Sequence, residues 1–388
     1  MSSLFELANQ ALETPDFRRE ILASAFGEFT PEQEQRYLSR LHDNDRMLHH
    51  CLNHFGNINF SLSHYLAVTI QQYRIVEKIK NALFPKNPDA ISMLDFACGY
   101  GRLQRLMSIK IDPELLWVSE INDTALAYVV KTFGVNGLDS CADPDRFSTT
   151  EKFDVIWVAS LFSHLPRHLF NAWLERLASL LKPTGVLCFS VHDEKLLPST
   201  TIMPDSGFYY IEQSEDANLD VSIYGTTYVS ESFVAGAITA LDDSAFGYHC
   251  IPKGLANEQD LYIVARHRLR DLSPLKNIRH GAWGFVDKVY FEPDGEFYLY
   301  GWAASIDDGV VDHVEIMIGD DVHCCPANLL RSDVVEVLKD PRLLNSGWEI
   351  RLRLAPAEHH FAAVTVVSKR GERSLVYAGF ITEGRFSI

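Results

Sequence analysis

The chain has 388 residues, 47% of them hydrophobic and 22% charged; this is an ordinary globular composition, long enough for two or three domains with separate cores. A formal charge of −17 argues against nucleic acid or an anionic membrane surface as the main partner, because both select basic patches. No apolar run approaches the roughly 20 residues that span a bilayer, and the segment from Met1 lacks the basic start and apolar core of a secretory leader. The seven cysteines are dispersed without a CxxC pair, the pattern of reduced thiols in a cytoplasmic protein with neither a disulfide frame nor a zinc site. Cys324 and Cys325 fall on opposite faces if they lie on a strand, a structural role.

Residues 1–88 read as an N-terminal helical region. Thr14-Pro15 and Thr30-Pro31 each place a capping hydroxyl before proline at a first helical position. A long helix over about 63–84 carries Leu66, Ile70, Tyr73, Val76 and Ile79 on one stripe. His50 and His54 stand at i, i+4 spacing, but no glutamate-based zinc motif accompanies them, so no metal is assigned. This region is expected to cap the substrate side of the domain that begins near residue 89.

Residues 89–268 alternate strand and helix, the sign of a mostly parallel sheet covered on both faces. Strands are predicted over 91–96, 115–120, 137–142, 153–159 and 186–192, with two more near 245–251 and 260–266. Asn122 or Asp123 can cap a helix that Gly134 ends, and Phe170, Trp173, Leu174, Leu177 and Leu181 line one face of another. Residues 193–223 show little periodicity and read as a lid or substrate loop. Residues 269–283 read as a linker. Residues 284–388 turn to short strands with one helix over 332–338 and turns at 292–295 and 369–372, the texture of an all-β sandwich.

The most informative stretch is Ile91 to Arg102. A buried strand ends in Asp95, and Gly99 and Gly101 form a turn into a helix, where backbone can approach a ligand and helix N–H groups can bind it. The G-x-G-x-x-G dinucleotide fingerprint lacks its third glycine and no Gly-Lys-Ser/Thr follows, which excludes a P-loop and makes a nicotinamide cofactor the weaker alternative. Glu120 ends the next strand, twenty-one residues after Gly99, placed to accept hydrogen bonds from two ribose hydroxyls. The ligand expected is a nucleoside compound.

Leu94–Arg102 resembles the first motif of class I S-adenosylmethionine-dependent methyltransferases. Glu120 resembles their ribose-binding acid, residues 153–166 their fourth strand and the loop after it, and residues 181–186 the turn before their fifth strand. The resemblance spans about residues 89–268 and implies an α/β fold: a seven-stranded Rossmann-like methyltransferase sheet, here with the N-terminal helical cap and the C-terminal β-sandwich. It further implies S-adenosyl-L-methionine as cofactor, its amino-acid part over Ala97, Cys98, Gly99, Tyr100 and Gly101 with Asp95 beneath. By the same resemblance Glu120 takes the ribose, Ile121 lies against the adenine, Asp143 meets the adenine amino group, and Ala159 and Ser160 line the methionine portion. The first motif glycine is replaced by Ala97, acceptable as long as that position has negative φ.

Methyl transfer from a sulfonium needs alignment and, for a hydroxyl acceptor, a base. His164 after the fourth strand and His192 at the end of the fifth both qualify, being titratable near neutrality at the carboxyl ends of strands. Asp193 could orient the His192 ring, and Tyr209, Tyr210 and Glu212 are weaker candidates for substrate contact. The implied reaction is O-methylation of a small molecule or of a sugar or polysaccharide precursor. The sandwich, with Trp302, vaguely resembles modules appended to glycan-modifying enzymes. The alternative is a catalytically silent cofactor-binding scaffold whose sandwich binds a glycan or protein partner.

Overall fold

The computed structural model describes residues 3–213, 220–242, 245–291, 295–354 and 360–381. Two compact units are present, residues 72–278 and residues 1–71 together with 279–388. This division differs from the expected one. The N-terminal helices join the C-terminal strands, and the expected linker carries a 3-10 turn, Ser273–Asn277, before the first strand of the β region begins at Ala282.

The chain opens with α1 (Leu4–Leu12), α2 (Pro15–Phe26), α3 (Pro31–Arg36) and α4 (Arg46–Phe55), then the long α5 (Ile58–Leu83). Thr30 and Gln33 form the reciprocal capping box that starts α3. Thr14 makes no such bond, because its hydroxyl turns back to donate to the Ala11 carbonyl at 2.7 Å. His50 and His54 lie on α4 with parallel rings 6.3 Å apart.

Residues 72–278 then contribute β1 (Met93–Phe96), α6 (Gln104–Lys110), β2 (Leu116–Glu120), α7 (Asp123–Phe133), β3 (Asn136–Asp139), β4 (Phe153–Val158), α8 (Arg167–Ser179) and β5 (Leu181–Asp193). They continue with β6 (Phe208–Ile211), β7 (Thr226–Val229), α9 (Glu231–Thr239), β8 (Phe246–Leu255) and β9 (Gln259–Arg266). The sheet runs β3-β2-β1-β4-β5-β9-β8, with the first five strands parallel and β9 antiparallel to both neighbours. These are the seven strands expected. The apolar runs of β1 and β4 are buried because helices cover the sheet: α8 places Phe170, Trp173, Leu174 and Leu177 in the core, and Trp173 lies 4.8 Å from Phe96.

Asn122 is the residue that caps α7, accepting the Ala125 N–H at 3.1 Å, and Gly134 ends that helix at φ 68°. The described part of the expected loop, residues 193–213 and 220–223, contains regular structure that its pattern does not predict. They contain β6, which pairs antiparallel with β7, while β7 runs parallel to the end of β5 with His192 opposite Tyr228. The consecutive aromatic residues Phe208, Tyr209 and Tyr210 are the strand signal that a loop assignment for this stretch passes over.

The β region holds β10 (Ala282–Phe291), β11 (Glu296–Ser305), β12 (His313–Ile318), β13 (Asp321–Cys325), α10 (Ser332–Leu338), β14 (Gly347–Arg353), β15 (His360–Val367) and β16 (Arg373–Ile381). They form a three-stranded sheet β10-β11-β14 and a four-stranded sheet β13-β12-β15-β16. Phe297, Leu299 and Trp348 from the first share one core with Val314, Ile316 and Val364 from the second. The expected turn at 292–295 falls mostly outside the described residues. Strand β13 is not evident from the pattern because acidic Asp320 and Asp321 mask its short apolar part; its Cys324 is exposed and Cys325 buried, as alternation requires.

The helices join this unit through β16. Ser63 on α5 both accepts the Ala378 N–H and donates to the Ala378 carbonyl, and Asn59 donates to the Phe380 carbonyl, so helix side chains satisfy an edge strand. A Cβ at Gly379 would lie 2.4 Å from Asn59, so only glycine permits this approach. Phe17 on α2 meets Phe361 edge-on at 5.1 Å.

Candidate functional site

The site lies at the carboxyl ends of the parallel strands, where ligands bind in sheets of this kind. Its first half is the turn after β1. Ala97, Gly99 and Gly101 all have positive φ, at 60°, 54° and 75°. Ala97 therefore occupies the left-handed region and not the negative φ expected of it, at a strain of about 1–2 kcal/mol. The two glycines serve different ends. A Cβ on Gly101 would come within 2.8 Å of Phe133 and 3.0 Å of Val129, so this residue lets α7 pack against the turn. A Cβ on Gly99 would meet nothing within 4 Å, so its bare face is turned to open space where a ligand can approach.

Glu120 ties this turn to β2. One carboxylate oxygen accepts the Gly99 N–H at 2.8 Å, and the other accepts those of Ile121 and Asn122 at 3.0 and 3.1 Å. Ile121 next to it is 42% exposed, an unusual position for a large apolar side chain and a suitable one for a flat heterocycle. Beneath the turn, Asp95 is buried and accepts from the Gln104 amide at 3.1 Å. Burial raises its carboxyl to about 7; the Gln104 bond opposes the shift, the Glu120 charge adds to it, and Arg102 opposes it. Burial, with Asp95 and Glu120 nearby, pushes the Cys98 thiol well above its ordinary value, so it is inert at neutral pH. Tyr100 is buried with its ring 6.0 Å from Tyr128. Asp143 is exposed and caps a 3-10 turn through the Asp145 N–H at 3.0 Å. An open glycine face, a carboxylate at the next strand end and an exposed apolar neighbour fit an adenosine compound bearing an amino acid.

The second half follows β4. Ala159 is half-buried, and Ser160 is a second non-glycine residue in the left-handed region, at φ 57°. Its N–H donates to the buried Ser190 hydroxyl on β5 at 2.8 Å, and its own hydroxyl lies 3.1 Å from the Gln259 amide nitrogen. His164 is buried, stacks on Tyr224 at 4.5 Å, and donates from Nδ1 to the Gly225 carbonyl at 2.7 Å. The Gly225 N–H returns a bond to the His164 carbonyl at 2.8 Å, and Thr227 bonds Ser163 and Leu165, so this loop is laced to the start of β7. His192 is half-buried, with the Tyr228 ring at 5.3 Å and the His164 ring at 6.1 Å.

The structure thus brings His164 and His192 together, and adds partners that no local motif marks: Ser190, Tyr224, Tyr228 and Gln259. Asp193, expected to orient His192, accepts the Lys195 N–H at 3.0 Å and caps the next turn. Tyr210 donates to the Val221 carbonyl at 2.6 Å. Trp302, the residue named with the glycan-module resemblance, meets Trp283 edge-on at 5.0 Å and packs beside α10. Among the described residues no three His, Cys, Asp or Glu side chains are grouped to hold a metal, and no helix is long and apolar enough to cross a membrane.

Residues 68–220 match a sequence family described as a methyltransferase domain. A curated relative, malonyl-[acyl-carrier protein] O-methyltransferase of Calditerrivibrio nitroreducens, is 24% identical over 123 residues, which are 32% of this chain and 47% of that protein. The chain therefore spans about half the length of the curated relative it matches. Among solved structures, an S-adenosylmethionine-dependent methyltransferase of Clostridium acetobutylicum covers 48% of this chain and 90% of its own, at 16% identity and a TM-score of 0.35. An amino pentose methyltransferase of Micromonospora echinaspora covers 50% and 89%, at 17% identity and a TM-score of 0.36. The family match, with the strand order and the motif geometry, establishes that the chain carries a class I S-adenosylmethionine-dependent methyltransferase domain.

Proposed function

We propose that this protein methylates a hydroxyl of a small molecule or of a sugar precursor, using S-adenosylmethionine. The observation that carries the reading is the pairing of the open Gly99 turn, tied to Glu120, with a fixed imidazole in the loop after β4. The cofactor supplies a methyl group already activated on a sulfonium. Asp95 and the turn from Ala97 to Gly101 would seat its amino-acid portion, Glu120 its ribose, Ile121 its adenine, and Ala159 with Ser160 the methionine side. Asp143 would contribute from the rim.

His164 serves as the base. Because Nδ1 faces a carbonyl oxygen it must carry the proton, so the neutral ring holds its lone pair on Nε2. The acceptor hydroxyl gives its proton to that nitrogen as its oxygen takes the methyl group. Tyr224 and the Gly225 carbonyl keep the ring from turning.

Isothermal calorimetry with S-adenosylmethionine and S-adenosylhomocysteine tests the first step, and a labelled-methyl screen across sugars, polysaccharide precursors and small hydroxylated molecules tests the second. Heat for both ligands and label on an oxygen are expected. No heat for either would sink the reading; binding without transfer to any acceptor class would leave a cofactor-binding scaffold in its place.

A further inference from the structure

Two residues past β4, Ser160 holds a left-handed backbone without being the glycine that such a turn favours. Each of its polar groups is engaged. Its N–H donates to the Ser190 hydroxyl at 2.8 Å, its carbonyl accepts from the Ser163 hydroxyl at 2.8 Å, and its own hydroxyl lies 3.1 Å from Gln259 Nε2. Ser190 on β5 also donates to Gln259 Oε1 on β9 at 2.7 Å, so the three residues close a ring of hydrogen bonds. Burial sets the sense of that ring. Ser190 is fully buried and its oxygen already accepts the Ser160 N–H, so its proton needs an acceptor, which Gln259 Oε1 supplies. The amide nitrogen then faces the Ser160 hydroxyl, and lies 3.4 Å from His192 Nε2.

The ring stands at the entry of residues 160–165, the loop that carries His164. Past Ser160 the chain drops Phe162 into the core, 4.6 Å from Phe189, and turns back with the His164 N–H on the Leu161 carbonyl at 2.9 Å. The far end of the loop is laced to β7 through Gly225 and Thr227. Its exit is thus held by bonds between backbones and its entry by one strained residue. Left to itself, such a residue relaxes to negative φ and swings the chain that follows it. Here that relaxation would leave the buried Ser190 oxygen without its donor, a cost comparable to the strain.

We propose that Ser190 and Gln259 are positioning residues that clamp Ser160 in its left-handed turn and so set where residues 160–165 stand against the cofactor seat. What the loop delivers, His164 as base, rests on the proposed methyl transfer; the clamp itself does not. Both residues act on the rate through the aim of the loop, and not through the affinity for cofactor.

Hydrogen exchange of the full chain without cofactor reads the clamp directly. Ser190→Ala removes the acceptor of the Ser160 N–H and should speed exchange of the Ser160 and His164 amides about tenfold, while amides of β1 and β4 keep their protection. If that variant does not fold, Gln259→Met, which leaves the Ser190 hydroxyl without its acceptor, should loosen the same two amides. Adding Ser160→Gly, which holds a positive φ without strain, should raise the melting temperature of Ser190→Ala. With the acceptor found in the labelled-methyl screen, kcat should fall about tenfold in Ser190→Ala, with S-adenosylmethionine affinity within about threefold of wild type. Unchanged exchange at Ser160 and His164, acceleration spread evenly over the sheet, or a rate loss matched by an equal loss of cofactor affinity would overturn the proposal. A wild type that fails to bind S-adenosylmethionine in calorimetry would remove the methyltransferase reading and leave the exchange result to decide the clamp.

Discussion

The two turns of the site make an instructive pair. Each follows a central parallel strand, and each holds one non-glycine residue in the left-handed region, Ala97 after β1 and Ser160 after β4. The first is held by its own main chain, with the Gly101 N–H on the Cys98 carbonyl, and by the adjacent strand β2, with the Cys98 N–H on the Ser119 carbonyl and the Gly99 N–H on the Glu120 carboxylate. The second is held by side chains from β5 and β9, thirty to ninety-nine residues away. One turn is therefore a local solution in which glycines lower the cost of an awkward backbone. The other is an assembled solution in which remote hydroxyls and an amide offset that cost.

If the contrast is right, damage to the assembled turn should slow chemistry and damage to the local turn should weaken binding. The largest effect is expected for His164→Asn, which can keep the donor to Gly225 but has no Nε2. Steady-state kinetics should show kcat reduced by about 10²–10⁴ with little change in cofactor affinity. Full activity would remove His164 as the base. Next comes Glu120→Ala, which removes an acceptor of charge-assisted bonds. Calorimetry should find S-adenosylmethionine bound more weakly by about 1.5–3 kcal/mol, some 10–150-fold; unchanged affinity would mean that the carboxylate serves the turn alone.

A third effect is on stability. Burial raises the Asp95 carboxyl from 3.8 to about 7, so between these values the folded chain holds a proton that the unfolded chain has lost. Its contribution is full below about 4, declines as pH rises and is lost above about 7. Denaturation across that range should show Asp95→Asn with a flatter profile than the wild type; parallel profiles would contradict the buried, protonated carboxyl. The smallest effect is that of Ala97→Gly. Relief of left-handed strain, partly offset by a freer unfolded chain, should stabilise the protein by about 0.5–1 kcal/mol and raise the melting temperature by about 1–3 °C. A loss of stability would show that the methyl of Ala97 has a packing role that outweighs its strain.

The same contrast explains which features are legible in the amino-acid sequence. The strands of the parallel sheet, the Gly99–Gly101 turn, Glu120 and the helix ends follow from short-range patterns of apolar period, glycine spacing and capping. The left-handed Ala97 has no such mark, because no pattern fixes the φ of an alanine in a turn. Gln259, Ser190 and Tyr228 reach His192 and Ser160 through strand pairing, and single polar residues on apolar strands carry no local mark. The grouping of the N-terminal helices is hidden for a similar reason. The stripe on α5 announces a buried face, but only β16, more than three hundred residues on, shows what the N-terminal half of that face is buried against.

That last pairing has a consequence for how the chain comes to be folded. During synthesis the helices of residues 1–71 leave the ribosome long before residues 360–381, the strands on which Phe17, Asn59 and Ser63 find their partners. Residues 72–278 form a compact unit of their own and can complete their sheet in the interval. The nascent helices must meanwhile wait with Phe17 and Phe60 uncovered, and the contacts that finally cover them close a loop of about three hundred residues. The unit made from the chain's two ends should thus be the last to form and the one most in need of a chaperone's shelter.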